Sequence, residues 1–260
     1  MNFLADYHTH TIFSRKPFLP FLHAKGSLED NIKTASKLGL KEMAITDHGF
    51  NHKYFACSRK NLKTTKQEIL RLSQKYNIKV YFGVEANFLS QDGTIDVTKK
   101  DMEYLDIVLC GYHKLAKPKT LRDKFKIFVP NIFANHFGTS KKLLQRNTEM
   151  IVNALDKNNI DIITHPNNKM RCDLAAVTKK AVEKGTLIEL NEKHCCFTEN
   201  EIKTMLTLGA KFVVDSDAHK PEKIGKFKKM ENLIQKYNIP EDRIVNLNSL
   251  PEFINVKRNN

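Results

Sequence analysis

Seven apolar, β-branched runs recur along the chain, and helical patterns fill the stretches between them. The runs are FLADY (3–7), EMAIT (42–46), KVYFGVEA (79–86), LDIVLC (105–110), DIIT (161–164), TLIEL (186–190) and KFVVD (211–215). Strands joined by crossover helices pair in parallel, so the alternation restricts the chain to an α/β fold with a parallel sheet. Several helices have legible ends. SLEDNIKTASKLG opens on a capping box, Ser27 with Asp30, stops at Gly39 and carries Leu28, Ile32, Ala35 and Leu38 on one stripe. TENEIKTMLTLG repeats the device with Thr198, Glu201 and Gly209. Seven such units suit either an open doubly wound sheet or a closed barrel. No glycine-rich phosphate loop follows the first run, which removes the usual nucleotide-binding folds. Residues 114–140 lack a strand pattern and are expected to form a helical excursion over the end of the sheet. Without a repeat or linker, residues 1–260 read as a single domain with its core at about 3–247.

The histidines and acids fall at one end of these runs. His8 and His10 follow the first, Asp47 and His48 the second, Glu85 ends the third and His113 follows the fourth. His165 follows the fifth, and Asp217 and His219 the seventh. In parallel α/β folds the carboxyl ends of the strands share one face, where active sites are built. Taken singly, a histidine after a strand is an ordinary turn or cap residue, and the aspartates could cap the next helix. Glu85 is harder to explain that way, because an unpaired buried carboxylate is costly. Independent placement would not put these residue types at the same end of six strands. His52, His136 and His194 lack this context and are read as surface or packing residues, although His52 and His194 lie near the same rim.

A donor set of imidazole and carboxylate without thiolate suits Zn²⁺, Mn²⁺ or Fe²⁺. It has more members than one ion needs, so a multinuclear centre with a bridging carboxylate is expected. The five cysteines form no CxxC pair and read as reduced thiols of a cytoplasmic protein. The N-terminus lacks the basic region and apolar core of a signal peptide, and no apolar run is long enough to span a bilayer. The net charge of +14 fits an anionic substrate. It is mostly scattered lysine, without the aromatic and basic interleaving suited to stacking bases, so nucleic acid is not the favoured partner.

With HTH, AITDHG, GVE, GYH, THP and SDAH in this order, the chain resembles the PHP family, named for polymerase and histidinol phosphatase. The resemblance spans about residues 3–247. It implies a distorted (β/α)₇ barrel, a TIM-like fold, with a trinuclear metal site that hydrolyses phosphate esters. On this resemblance one ion takes His8, His10, Glu85 and Asp217. A second takes His48, His219 and a histidine from the loop after the first strand. A third takes Glu85, His113 and His165, which makes Glu85 a bridge. The loop histidine is read as His23, in HAKGSLEDN, after an inserted RKPFLPFL (15–22) that could serve as a lid or partner contact. Glu85, Asp217 and His219 are the expected catalytic residues, and Asp47 is expected to orient His48 or relay a proton. Arg146 and Asn191 are candidate substrate-binding residues, beside Lys114, Lys169 and Arg171. The expected activity is attack of a metal-activated hydroxide on a small phosphomonoester, histidinol phosphate being one candidate. The alternatives are a nuclease or phosphodiesterase and a metal-stabilised interaction module. The sequence does not fix the oligomeric state.

Overall fold

A computed structural model describes residues 1–14 and 23–259, without the side chains of 135–136 and 257–259. The inserted segment 15–22 and the side chain of His136 therefore lie outside what is described. All seven runs become strands: β1 Ala5–Asp6, β2 Glu42–His48, β3 Lys79–Asn87, β4 Ile107–Gly111, β5 Ile162–Ile163, β6 Leu187–Asn191 and β7 Phe212–Asp215. They pair in parallel in chain order, β1 to β7. The main helices between them are α1 Leu28–Lys37, α2 Leu62–Tyr76, α3 Leu121–Asp123, α4 Val129–Phe137, α5 Lys141–Lys157, α6 Leu174–Lys184 and α7 Glu199–Thr207. Two more, α8 Lys228–Lys236 and α9 Ile254–Asn259, close the chain.

Local chemistry explains the boundaries. Both expected capping boxes form, at Ser27 with Asp30 and at Thr198 with Glu201. Helix α6 starts on the Asp173 carboxylate and ends on Gly185 at φ 73°, a conformation glycine adopts without strain. Residues 114–140 are helical, with a π-helical turn over Lys124–Phe128 between α3 and α4. They are tied to α5 by a reciprocal amide pair, Asn131 with Asn147, at 2.8 and 3.0 Å.

Strand alternation sorts the side chains into two cores. Tyr7, Ala44, Tyr81, Ile107, Leu109, Ile162, Leu187 and Val213 fill the barrel interior with Phe253. Met43, Ile45, Val84, Val108, Ile188 and Val214 point outward against the helices. On the inner parity, toward the carboxyl ends, the apolar residues give way to Glu85, Asn87, Glu189, Asn191 and Asp215, all buried.

The barrel closes without a β1–β7 ladder, and side chains supply the missing bonds. Tyr7 N–H donates to Asp215 Oδ1 at 2.6 Å, and Ser216 N–H donates to Asp6 Oδ1 at 3.1 Å. The Asn246 amide spans the gap, donating to Ala5 O at 2.9 Å and Val214 O at 2.7 Å, while its Oδ1 accepts from Val214 N–H at 3.0 Å. At the rim, main chain meets main chain through the Thr9–Ala218 bridge.

Candidate metal centre

Every histidine singled out at the strand ends converges on one rim with Glu85 and Asp217, and of the acids named there only Asp47 faces elsewhere. Register does part of this: His48 on β2 lies alongside Glu85 on β3, and both face inward. Beyond Asp6 the chain leaves the strand, yet His8 and His10 still meet, their Nε2 atoms 3.1 Å apart. Glu85 sits at the centre. Its Oε2 is 3.0 Å from His48 Nδ1, 3.3 Å from His113 Nε2, 3.4 Å from His8 Nε2 and 3.7 Å from His10 Nε2. Its Oε1 is 2.8 Å from His165 Nε2. Asp217 Oδ1 lies 3.3 Å from His10 Nε2 and 3.9 Å from His8 Nε2. His23 Nε2 is 3.0 Å from His48 Nε2 and 2.8 Å from His219 Nε2, and its ring stacks on Phe55 at 3.9 Å.

These spacings fit cations. Donors at about 2.0–2.2 Å from a tetrahedral ion lie roughly 3.3–3.6 Å from one another. His8 Nε2 and His10 Nε2 lie 3.1 Å from each other, 3.4 and 3.7 Å from Glu85 Oε2, and 3.9 and 3.3 Å from Asp217 Oδ1. Among the described residues, three overlapping groups have donor atoms compact enough for an ion. They are His8, His10 and Asp217; His10, His48 and His219; and His48, Glu85 and His113. His10 Nδ1 is buried without a hydrogen-bond partner among the described residues.

Electrostatics agree with the geometry. Burial alone would raise the Glu85 and Asp217 carboxyls, but the imidazoles of His113 and His8 outweigh it and hold both well below the usual range. Burial likewise favours neutral His8, yet the carboxylates of Glu189, Glu85 and Asp217 push its pKa well above the usual value. The field that would hold a proton on His8 favours any other cation placed there. His10 and His48, buried among other imidazoles, are pushed well below the usual value.

The supporting residues were not legible as a set. Glu189, buried on β6, accepts from His8 Nδ1–H at 2.6 Å and from His165 N–H at 2.6 Å, which aims His8 Nε2 at the cluster. Asn87 Oδ1 accepts from His113 Nδ1–H at 2.8 Å. His165 and Asp217 have φ of 30° and 51°, a region that costs roughly 1–3 kcal/mol outside glycine and is found at functional sites. Gly111 is required by proximity, because a Cβ there would lie 2.2 Å from Thr164 Oγ1 and 3.0 Å from His165 Cε1.

Other expectations change. Asp47 does not orient His48, because adjacent strand residues face opposite ways. Instead its carboxylate accepts from Thr11 N–H and Thr11 Oγ1–H, both at 2.6 Å, and from Ser14 Oγ, pinning the loop after β1. Arg146 donates to Lys126 O at 3.3 Å and makes no contact with the cluster among the described residues. Asn191 Oδ1 accepts from Lys193 N–H at 3.0 Å and His194 N–H at 2.8 Å, folding the turn that brings both residues to the rim. His194 Nε2 lies 3.5 Å from Asp217 Oδ2, and His52 stacks on His48 at 4.9 Å. Both pack into the wall of the cluster at the rim.

His52 gives a pH prediction. Burial lowers its pKa to about 3, and its Nδ1 accepts from Phe55 N–H, which requires the neutral ring. An unfolded chain takes up that proton near pH 6.5 and the folded chain does not. Stability from this group is therefore lost as pH falls from about 6.5 toward 3. In urea melts of chelated protein, His52→Gln should flatten this limb by roughly 1 kcal/mol per pH unit. Parallel acid limbs for the two proteins would refute the assignment.

A parallel α/β barrel with such a rim defines a class, the metal-dependent hydrolases. The PHP domain family matches residues 6–237, and the chain belongs to it. A protein of Acetivibrio thermocellus named "Probable phosphatase" is 28% identical over 99% of this chain and 98% of its own. One of Shewanella loihica with the same name is 29% identical over 95% and 90%. Among solved structures, histidinol phosphate phosphatase from Lactococcus lactis, complexed with zinc, L-histidinol and phosphate, superposes with a TM-score of 0.58. It is 15% identical and covers 97% of each chain. A Listeria monocytogenes chain superposes at 0.61 with 14% identity, over 87% of this chain and 99% of its own. No helix among the described residues is long and apolar enough to cross a membrane.

Proposed function

We propose that the protein is a phosphomonoesterase working through up to three divalent ions. The observation that carries this reading is the set of overlapping donor groups around Glu85. His8, His10, Glu85 and Asp217 would hold one ion, His23, His48 and His219 a second, and Glu85, His113 and His165 a third. Bound ions supply positive charge to a phosphoryl group and acidify water. The protein's part is positioning. Glu189 and Asn87 fix the His8 and His113 rings, and His219 Nδ1–H is held by Asp217 O at 2.9 Å. Lys193 Nζ stands 3.5 Å from His219 Nδ1 and 3.9 Å from Asp217 Oδ2, where it can meet a phosphate oxygen. Lys169 reinforces the field: burial lowers its pKa even though Glu85 and Asp217 lie close enough to oppose that shift. Lys169, a candidate from the sequence, and Lys193, which the sequence did not offer, take the phosphate-binding role in place of Arg146, while Asn191 supports Lys193 through its turn.

Zinc is the first metal to test, given the Lactococcus lactis relative, with Mn²⁺ and Fe²⁺ as alternatives. Metal analysis of purified protein should find two to three ions per chain, on the order of what the donor set can hold. With metal supplied, p-nitrophenyl phosphate should be hydrolysed, and its bis-ester and a single-stranded oligonucleotide should not. Salt-sensitive oligonucleotide cleavage would replace the reading with a nuclease. Bound ions without turnover of any ester would replace it with a metal-stabilised module.

A further inference from the structure

The rim opens on one side into a cavity of about 380 Å³ lined by Asp217, His219, Lys193, Lys220, Lys223, Lys226 and Lys229 with Glu192 and Ser216. The volume suits a small ligand. Its charge is one-sided. Lys220, Lys223, Lys226 and Lys229 have no carboxylate partner among the described residues, although ion pairs are common elsewhere on this surface. The Glu192 carboxylate is committed elsewhere, accepting from Lys229 N–H at 2.9 Å and Met230 N–H at 3.1 Å at the start of α8. Asp217 belongs to the donor cluster.

Resting on the phosphomonoesterase reading, we infer that the substrate is at least bis-anionic: its leaving group carries a second phosphate or carboxylate, which docks on this lysine shelf. The cluster takes the scissile phosphate, and Lys193 stands between the two sites. A phosphoryl group alone leaves four lysines uncompensated, whereas a second anion a few bonds away offsets them. Like-charge contact selects against the opposite case. An ester whose leaving group bears an ammonium, as L-histidinol phosphate does, meets repulsion here.

A matched series of phosphonates tests this without turnover: 3-phosphonopropionate, propylphosphonate and 3-aminopropylphosphonate, titrated calorimetrically into zinc-loaded protein at low salt. Dissociation constants should rise in that order, by about tenfold per step. The spread should collapse in K223A/K226A. It should persist in K228A, because Lys228 is adjacent to Lys229 at the start of α8 but is paired with Glu231 at 3.6 Å. A flat series, tightest binding of the ammonium compound, or equal loss of the spread in K228A overturns the inference. If p-nitrophenyl phosphate is hydrolysed while the series is flat, only the inference fails. If no phosphonate binds and no ester is hydrolysed, the phosphomonoesterase reading fails and takes the inference with it.

Discussion

Glu85→Gln should abolish activity, lowering turnover of p-nitrophenyl phosphate by roughly 10³-fold or more, and should strip most bound metal. The reason is geometric. One carboxylate lies within 3.7 Å of five imidazole nitrogens, those of His8, His10, His48, His113 and His165. Glutamine has the same shape but removes the charge and turns one oxygen into an N–H₂ donor. Whichever way the amide is turned, a donor faces imidazole nitrogens whose lone pairs should face a cation. Thr164 Oγ1, which donates to Glu85 Oε1 at 3.0 Å, selects the orientation that puts the amide nitrogen at the Oε2 position, among four of the five rings. Elemental analysis, turnover and a circular-dichroism melt on the same sample separate loss of the centre from loss of the fold. Wild-type metal content with wild-type turnover would show that Glu85 bridges nothing.

Glu189→Gln should act differently, because Glu189 touches no proposed substrate position and works through His8 and His165. Its two oxygens accept from His8 Nδ1–H and from the main-chain N–H of His165, whose φ of 30° is held against its own preference. The amide can satisfy one donor but not both. The expected result is a 10- to 100-fold weaker metal affinity, the usual range for loss of such a supporting carboxylate. Chelator competition would read the affinity, and turnover against free zinc would show kcat recovering to within about tenfold at saturation. A purely structural role would instead lower the melting temperature while leaving the zinc dependence unchanged. A fall in kcat that excess zinc cannot reverse would also refute the positioning role.

The strands and donors of this site were visible in the sequence because both follow short-range rules. β-branched runs, capping boxes and residue types at strand ends are local signals, and chain order then brings the ends together. Glu189 had a signal that could have been used. In TLIEL, as in KVYFGVEA, a carboxylate interrupts an apolar strand, and Leu187, Glu189 and Asn191 share a face. The burial cost that singled out Glu85 applies to it unchanged. Asn87, two residues beyond Glu85, shares its face by strand alternation. His52 and His194 had no such signal, since their turns owe their shape to Phe55 N–H on His52 Nδ1 and to the buried Asn191 side chain. Strand lengths were overestimated at β1, where five residues were expected and two pair. With β2 on one side only, β1 has the Asp215 and Asn246 side chains on its open edge, and its own Asp6 carboxylate takes the Ser216 N–H there.

That open side is held by ties of two kinds. Tyr7 with Asp215, Asp6 with Ser216 and the Thr9–Ala218 bridge join the ends of the ring directly. Asn246 lies downstream of every proposed donor, from His8 to His219, and braces β1 against β7 from outside the strands. As synthesis runs from the N-terminus, all the imidazoles and carboxylates leave the ribosome before that brace. A nascent chain halted short of position 246 would own a full complement of donors and the direct ties, and would lack the amide that reinforces them.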